Sequence, residues 1–369
     1  MTARRLRLSM LAAGGVALAV CAAAWAYDPR LFMGGWLVAA LFWLALSLGA
    51  LPVLMTYHLT GGRWGAETEP ALRAALAALP VALGTFLVPL GFGLSTLFPW
   101  TRPLATLPEV VVRKTAWLNS PFFSARTLIC FALWLVLAWF MDAWRRDATR
   151  HRALSAGGPI LWVFTTTVFS FDWLMSLEPE WYSDIFGLYV GAGVVLAAMA
   201  FALLATAIDD EARDERRIAG LQDFANLLLA VAIGWLFIDF SQYLIIWMGN
   251  LPHEIGWYLH RRASLWQALA VVAFSAFFVV PLSVFLFRRC KRSRVATAAA
   301  ATTILLGHLA QCAWLVLPSV PPGGWIGLGM TTVAWLAIGG CWLFIFLLRF
   351  AVLPRSEAAA PPKAELVHD

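Results

Sequence analysis

The sequence predicts an all-α integral membrane protein of about ten transmembrane helices, and three features of its 369 residues carry this prediction. Hydrophobic residues make up 61% of the chain and charged residues only 13%, against roughly 25% charged residues in soluble domains. The mean hydropathy is +0.76. Many of the 20 tryptophans lie where an apolar run meets a polar loop, as they do in the aromatic belts at membrane–water interfaces.

One helix needs about 20 predominantly apolar residues to cross a bilayer, and the apolar runs of this chain supply ten such segments. The predicted spans cover about residues 7–26, 33–57, 72–98, 122–143, 159–176, 182–207, 222–248, 264–288, 296–317 and 325–350. Residues 1–353 are therefore predicted to form a single polytopic membrane domain. The tail 354–369, rich in alanine, proline and charge, is expected to be a disordered cytoplasmic segment.

The first run has two interpretations. Ala24-Trp25-Ala26 fits the Ala-x-Ala cleavage site of a secretory signal peptide. The apolar stretch from Leu8 to Ala26 is longer than the roughly 7–15 residues of a signal-peptide core, which favours a retained helix. Cleavage would leave the orientation of the other nine spans unchanged.

Basic residues predict the orientation of the chain. If the N-terminus is inside, 20 of the 27 Lys and Arg residues fall on the inner side. Because cytoplasmic loops retain basic residues, both termini are expected in the cytoplasm, with the protein in the bacterial inner membrane. The same residues are scattered over short loops, so we predict no nucleic-acid partner.

The five cysteines give no sign of a redox centre. Cys21, Cys130, Cys290, Cys312 and Cys341 are isolated from one another. A CxxCH motif would attach haem c and clustered cysteines would hold an iron–sulfur cluster, and the chain has neither pattern. We therefore expect no metal site and no covalently bound cofactor in this chain.

Polar residues inside the predicted spans form the candidate site, since ionisable groups in membrane helices are costly and mark function by default. At about 1.5 Å per residue from the inner helix ends, Asp172 lies about 20 Å deep, Asp239 about 22 to 26 Å and Gln311 about 21 Å. Three helices thus place polar groups in one outer-leaflet layer. Asp239, Gln242 and Tyr243 share a helical face through i, i+3, i+4 spacing.

Outer loops bring further groups to this layer, namely Arg126, Glu178, Glu180, Trp181, Asp184, His253, Glu254 and His260. A carboxyl group in a low-dielectric layer exchanges protons near neutral pH, because burial penalises its charged form. We predict proton transfer by Asp172, Asp239, His253 and Glu254. We predict a quinone or proton site at Gln242, Tyr243, Asp184, Trp181 and Arg126. Alternatively, Arg126 pairs with Asp184 or Asp172 and only orients helices.

A path across the whole membrane also needs an inner half. His58 ends the second predicted span, and His308 shares a face of the ninth with Gln311. We expect these three residues to form the remainder of a proton path.

Five ordered strings within residues 58–262 resemble a known family. They are HLTGGRWG (58–65), FGLSTLFPWTRP (92–103), WLNSPFFSARTLICFALW (117–134), SFDWLMSLEPEWYSDIFGLYVGAG (170–193) and FSQYLIIWMGNLPHEIGWYLHRR (240–262). This pattern is similar to the second NrfD-like membrane subunit of alternative complex III, a bacterial quinol:cytochrome c oxidoreductase. The chain departs from the family pattern at Asp184, where a small polar residue is usual, and at His253, where a second glutamate is usual.

The resemblance implies two four-helix bundles, spans two to five and six to nine, flanked by one helix at each end. It implies as partners an iron–sulfur subunit, haem c subunits and a sister NrfD-like subunit, in a complex that can extend to a haem-copper oxidase. It further implies that the sister subunit binds the quinol that feeds the clusters, that this subunit conducts protons, and that menaquinone or ubiquinone is the candidate ligand.

Two other functions stay open at the level of sequence. A proton-coupled secondary transporter would use the same carboxylates, although Pro80, Pro89 and Pro281 interrupt the third and eighth spans without an obvious repeat partner. The chain could equally be a structural anchor of the same complex, in which the buried charges only pair with one another.

Overall fold

The computed structural model describes residues 3–209 and 215–353. In this part of the chain the structure is all-helical and contains no β-strand, and ten helices are long and apolar enough to cross a membrane. They are α1 (Ala3–Tyr27), α2 (Pro29–Thr60), α3 (Glu69–Leu97), α4 (Ser120–Ala143), α5 (Ala148–Trp173), α6 (Phe186–Ile208), α7 (Glu215–Gly249), α8 (Ser264–Phe285), α9 (Arg294–Val316) and α10 (Gly324–Phe350). The architecture is that of a multi-pass membrane protein.

Each predicted span corresponds to one of these helices, so the prediction of ten apolar helices is confirmed. The largest difference is at α5, which begins at Ala148 rather than near residue 159. Residues 148–158 are too polar to count as an apolar run, but the Asp147 carboxylate caps the helix by accepting the Arg150 amide at 3.1 Å. The tail 354–369 lies outside the described residues.

Three of the helices are interrupted. α2 consists of Pro29–Leu48 and Ala50–Thr60, which meet at Gly49. A Cβ at Gly49 would lie 2.3 Å from the Val194 carbonyl oxygen, so only glycine permits this approach to α6. α3 and α8 each contain a π turn, at Pro89–Gly93 and Ser275–Val279, and such turns are frequent beside functional sites.

α2 is the centre of the fold. It contacts α1, α3, α5, α6, α9 and α10, and its most apolar 18-residue window is entirely buried. Trp43 stacks on Trp335 of α10 with ring centroids 5.2 Å apart, and the Trp162 indole of α5 donates to the Leu48 carbonyl at 3.0 Å. Close packing and interhelical hydrogen bonds hold membrane helices together, because lipid supplies no hydrophobic drive for their association.

The helix ends lie on two faces. The basic face carries the connections from α2 to α3, α4 to α5 and α8 to α9, the end of α6 and the start of α7, and the opposite face carries the other connections between described helices. On the basic face the chain turns after α2 at Gly61 and Gly62, whose φ angles of 64° and 97° suit glycine. The Arg63 guanidinium then pairs with Asp223 of α7 at 3.1 Å, which ties the turn to α7.

Candidate functional site

A cavity of about 720 Å³ lies between α6, α7, α8 and α9 near the opposite face. α7 packs against residues 275–285 of α8, whereas the part of α8 that lines the cavity precedes residue 275. The two helices therefore separate where the cavity lies. Val271 on its wall is 63% exposed, which indicates a lateral opening toward lipid. The volume is within the range of roughly 300–1,000 Å³ found for small-molecule sites.

Three polar groups on the cavity wall lack partners. Asp239 of α7 lies ten residues before Gly249, about 15 Å from the helix end, and no hydrogen bond or ion pair from a described residue reaches its carboxylate. Within the same part of the chain, Gln311 Nε2 and Trp235 Nε1 are buried without hydrogen-bond partners. Because buried polar groups are normally paired, these three groups are available to a polar ligand in the cavity, and the Gln311 amide lies next to the Tyr189 hydroxyl and the His308 ring.

Tyrosines and a cation complete the polar lining. Tyr189, Tyr243 and Tyr258 all line the cavity, and the rings of the last two meet edge to face at 5.6 Å. Burial raises the pKa of the Tyr258 phenol, and the nearby Asp239 raises it further. Tyr258 is therefore protonated at neutral pH and can donate a hydrogen bond. Arg262 is exposed and also lines the cavity.

Arg261 and Glu178 form a buried ion pair beside the cavity. Arg261 Nη1 lies 2.8 Å from Glu178 Oε1, and the guanidinium also donates to the backbone carbonyls of Trp257, Trp314 and Leu315. Burial lowers the pKa of Arg261, and Glu178 opposes this shift. The pair joins the α5–α6 connection to the end of α9, so it fixes the loops that border the cavity.

The predicted residue Trp181 belongs to the same border. Its ring lies parallel to Trp257 with centroids 4.6 Å apart, and the guanidinium carbon of Arg261 lies 3.8 Å from the centroid of Trp257. The buried side chain of Gln242 accepts a hydrogen bond from the Ser183 hydroxyl at 3.1 Å. Trp181 and Gln242 therefore support the loops around the cavity and are not among its lining residues.

Asp172 is in a separate cluster, in which both oxygens of its carboxylate are paired while Arg126 Nη1 is buried without a partner among the described residues. Its carboxylate accepts two hydrogen bonds from Arg126, both at 2.8 Å, and one from the Trp117 indole at 3.0 Å. The Arg126 guanidinium carbon lies 4.0 Å from the Trp117 ring centroid. Arg126 thus pairs with Asp172, as one alternative predicted, and this favours a bracing role for both residues. The expected layer divides into this cluster and the cavity.

Of the three residues predicted to form the rest of the proton path, Gln311 lines the cavity, whereas His58 and His308 do not. His308 is buried next to Gln311 in α9, stacks on Phe277 with ring centroids 6.0 Å apart, and has Nε2 3.6 Å from the Cys312 thiol. His58 lies on the basic face, where its ring centroid is 4.3 Å from that of His151. No hydrogen bond, ion pair or ring contact joins His58 to His308 in the described part of the chain.

Two other predicted residues, Asp184 and Glu254, do not line the cavity. Asp184 is exposed in the α5–α6 connection. Glu254 belongs to the short helix Pro252–His260, while the side chain of His253 lies outside the described part of the structure.

Sequence reasoning missed several lining residues. Trp235 precedes Asp239 by one helical turn, so its spacing gave a usable signal. Tyr189 and Tyr258 gave none, because they reach the cavity only through the packing of α6 and of the short helix Pro252–His260.

The fold defines a multi-pass helical membrane protein, and its cavity has polar groups on the wall and an opening toward lipid. No protein-family model and no curated protein matches the chain significantly. In this cavity, Asp239 can accept a proton, and Gln311, Trp235 and Tyr258 can donate hydrogen bonds. Its apolar walls suit a ligand that also dissolves in lipid.

Proposed function

We propose that this protein is a membrane subunit of a respiratory quinol:cytochrome c oxidoreductase of the alternative complex III class, in which it supports quinol oxidation, proton translocation or both. The five sequence strings between residues 58 and 262 support the class. The ten apolar helices have the number and order that an NrfD-like subunit requires. The observation that carries the function is the unpaired Asp239 carboxylate in a lateral cavity.

The helix packing supports the bundle arrangement proposed for this class. α2 contacts α3 and α5, while α4 contacts α3 and α5, as in one four-helix bundle. α6 contacts α7 and α9, while α8 contacts α7 and α9, as in a second. α1 and α10 pack against each other and against α2, outside both bundles. The basic face is then the cytoplasmic side of the bacterial inner membrane, and the cavity belongs to the outer leaflet.

In this proposal the chain binds a quinol and handles its protons. Gln311 Nε2 and Trp235 Nε1 donate hydrogen bonds to the ring oxygens, and the Tyr258 hydroxyl is a third donor. Asp239 accepts the proton of one ring hydroxyl, the proton of the other passes to the water on the outer side, and the two electrons would pass to the iron–sulfur and haem c subunits. Arg262, which is exposed, lines the same cavity, and the proton would leave on this outer side.

The test replaces Asp239 with asparagine in the assembled complex. The substitution keeps the side-chain shape and breaks no ion pair, so haem c and partner subunits should still copurify. We expect quinol:cytochrome c turnover to fall about a hundredfold or more, with less proton release per electron in proteoliposomes. Glu109→Gln, an exposed carboxylate change on the same face, is the control. Unchanged turnover and unchanged proton release in Asp239→Asn would refute the proposed role.

A proton-coupled transporter is the second candidate, and one observation favours it. Transporters often contain paired broken helices, and α3 and α8 both contain a π turn. The two breaks are not placed alike, because Ser275–Val279 directly follows the lining residues Ala273 and Phe274, whereas Pro89–Gly93 lies in α3, which contributes no described residue to this lining. Solute-driven proton uptake by proteoliposomes containing this chain alone, abolished by Asp239→Asn, would support transport over the respiratory function.

A further inference from the structure

A second cavity, of about 390 Å³, lies on the basic face between α3, α4 and the end of α10. Its wall is largely apolar and includes Leu79, Leu135 and Trp139. Trp139 is 64% exposed and Leu135 is 37% exposed on the outside of α4. Since this surface of a membrane helix meets lipid, the cavity is continuous with the inner-leaflet side of the bilayer.

The polar end of this cavity carries an uncompensated cation. Arg73 is neutralised twice, by Glu69 at 3.3 Å and by Asp142 at 2.6 Å. Arg349, at the end of α10, also lines the cavity and has no ion-pair partner among the described residues. His58 adds a buried Nδ1 that likewise has no hydrogen-bond partner there.

We infer that this cavity binds an anionic phospholipid from the inner leaflet. The phosphate lies at Arg349, and one acyl chain lies along Leu135 and Trp139. Basic pockets between membrane helices on the cytoplasmic side are suited to anionic head groups. The interfacial tryptophan and the apolar wall account for the acyl chain, which a free phosphate or a soluble anion would lack.

The charges of the lining distinguish an anionic lipid from a zwitterionic one. Arg73 of the lining is matched by the carboxylates of Asp142 and Glu69, so Arg349 is the lining cation that has no ion-pair partner in the described part of the chain. Because the carboxylate of Asp142 is already paired with Arg73, it is a poor partner for the ammonium of phosphatidylethanolamine. The phosphate of a phosphatidylglycerol-type head group pairs with Arg349, and this head group carries no ammonium that would need a carboxylate of its own.

The experiment is native mass spectrometry of the purified full chain with added phosphatidylglycerol, phosphatidylethanolamine or phosphatidylcholine. We expect phosphatidylglycerol to bind at least fivefold more tightly than the other two lipids. Arg349→Gln should weaken phosphatidylglycerol binding about fivefold, the effect of one basic residue at a membrane surface. Arg349→Lys should retain most of the affinity. Arg102→Gln, an exposed change on the opposite face, should have no effect.

Trp139→Ala tests the acyl-chain contact separately. It should weaken all three lipids, since it removes an apolar surface that does not recognise charge. Equal binding of the three lipids by the wild type would overturn the inference, and so would an unchanged phosphatidylglycerol affinity in Arg349→Gln. Free glycerol phosphate competing as well as the lipid would also overturn it. None of these readouts depends on quinol oxidation or proton transfer.

Discussion

Replacing Asp172 with asparagine is expected to destabilise the protein by about 3–5 kcal/mol. The carboxylate is 1% exposed and Arg126 is 7% exposed, so neither charge is hydrated by solvent. The substitution removes the charge that two Arg126 hydrogen bonds of 2.8 Å compensate. An unpaired guanidinium then remains buried against the Trp117 ring, and this buried charge accounts for most of the expected loss.

Equilibrium unfolding in mixed micelles measures this effect on the isolated chain. Glu109→Gln is the matched control, because the Glu109–Arg113 pair is also close, at 2.5 Å, but 79% and 77% exposed. It should cost less than about 1 kcal/mol. The double variant Asp172→Leu with Arg126→Met should lose much less than the two single variants together, since it buries no unpaired charge. A loss equal to their sum would contradict the pairing argument.

Three further substitutions test the helix packing and the buried ion pair. Gly49→Ala should destabilise the chain by about 1–3 kcal/mol, because its Cβ would lie 2.3 Å from a carbonyl oxygen of α6. Gly84→Ala, where a Cβ meets no atom within 4 Å, should be neutral or slightly stabilising in the same unfolding assay. Arg261→Gln should cost about 3–5 kcal/mol and leave Glu178 exposed to reaction with a carbodiimide. If the unfolding midpoint of Arg261→Gln equals that of the wild type, Arg261 does not fix the loops that border the cavity.

The number and order of the membrane helices could be read from the sequence because each depends on local composition. About 20 apolar residues in a row have few alternatives to a helix in lipid. The start of α5 was missed for the same reason, since its first residues are polar and its extension depends on the cap at Asp147. Interruptions were only partly visible, because Gly49 breaks α2 through a contact with α6.

In the candidate site, the sequence determined the depth of the carboxylates but not their partners. The sequence by itself determined that Asp172 and Asp239 both lie in apolar helices, near the same side of the membrane. It could not distinguish them, because the difference is made by residues far away in the chain. Arg126 and Trp117 reach Asp172 and pair it completely.

Only the tertiary structure decided that Asp239 lines the cavity of about 720 Å³, since α7 and α8 separate there. Tyr189 of α6 and Gln311 of α9 line the same cavity. Burial and pairing are properties of the assembled helices, whereas crossing a membrane is a property of each helix alone. For this reason the sequence determined how the chain spans the bilayer, and the packing decided which carboxylate is free to exchange a proton.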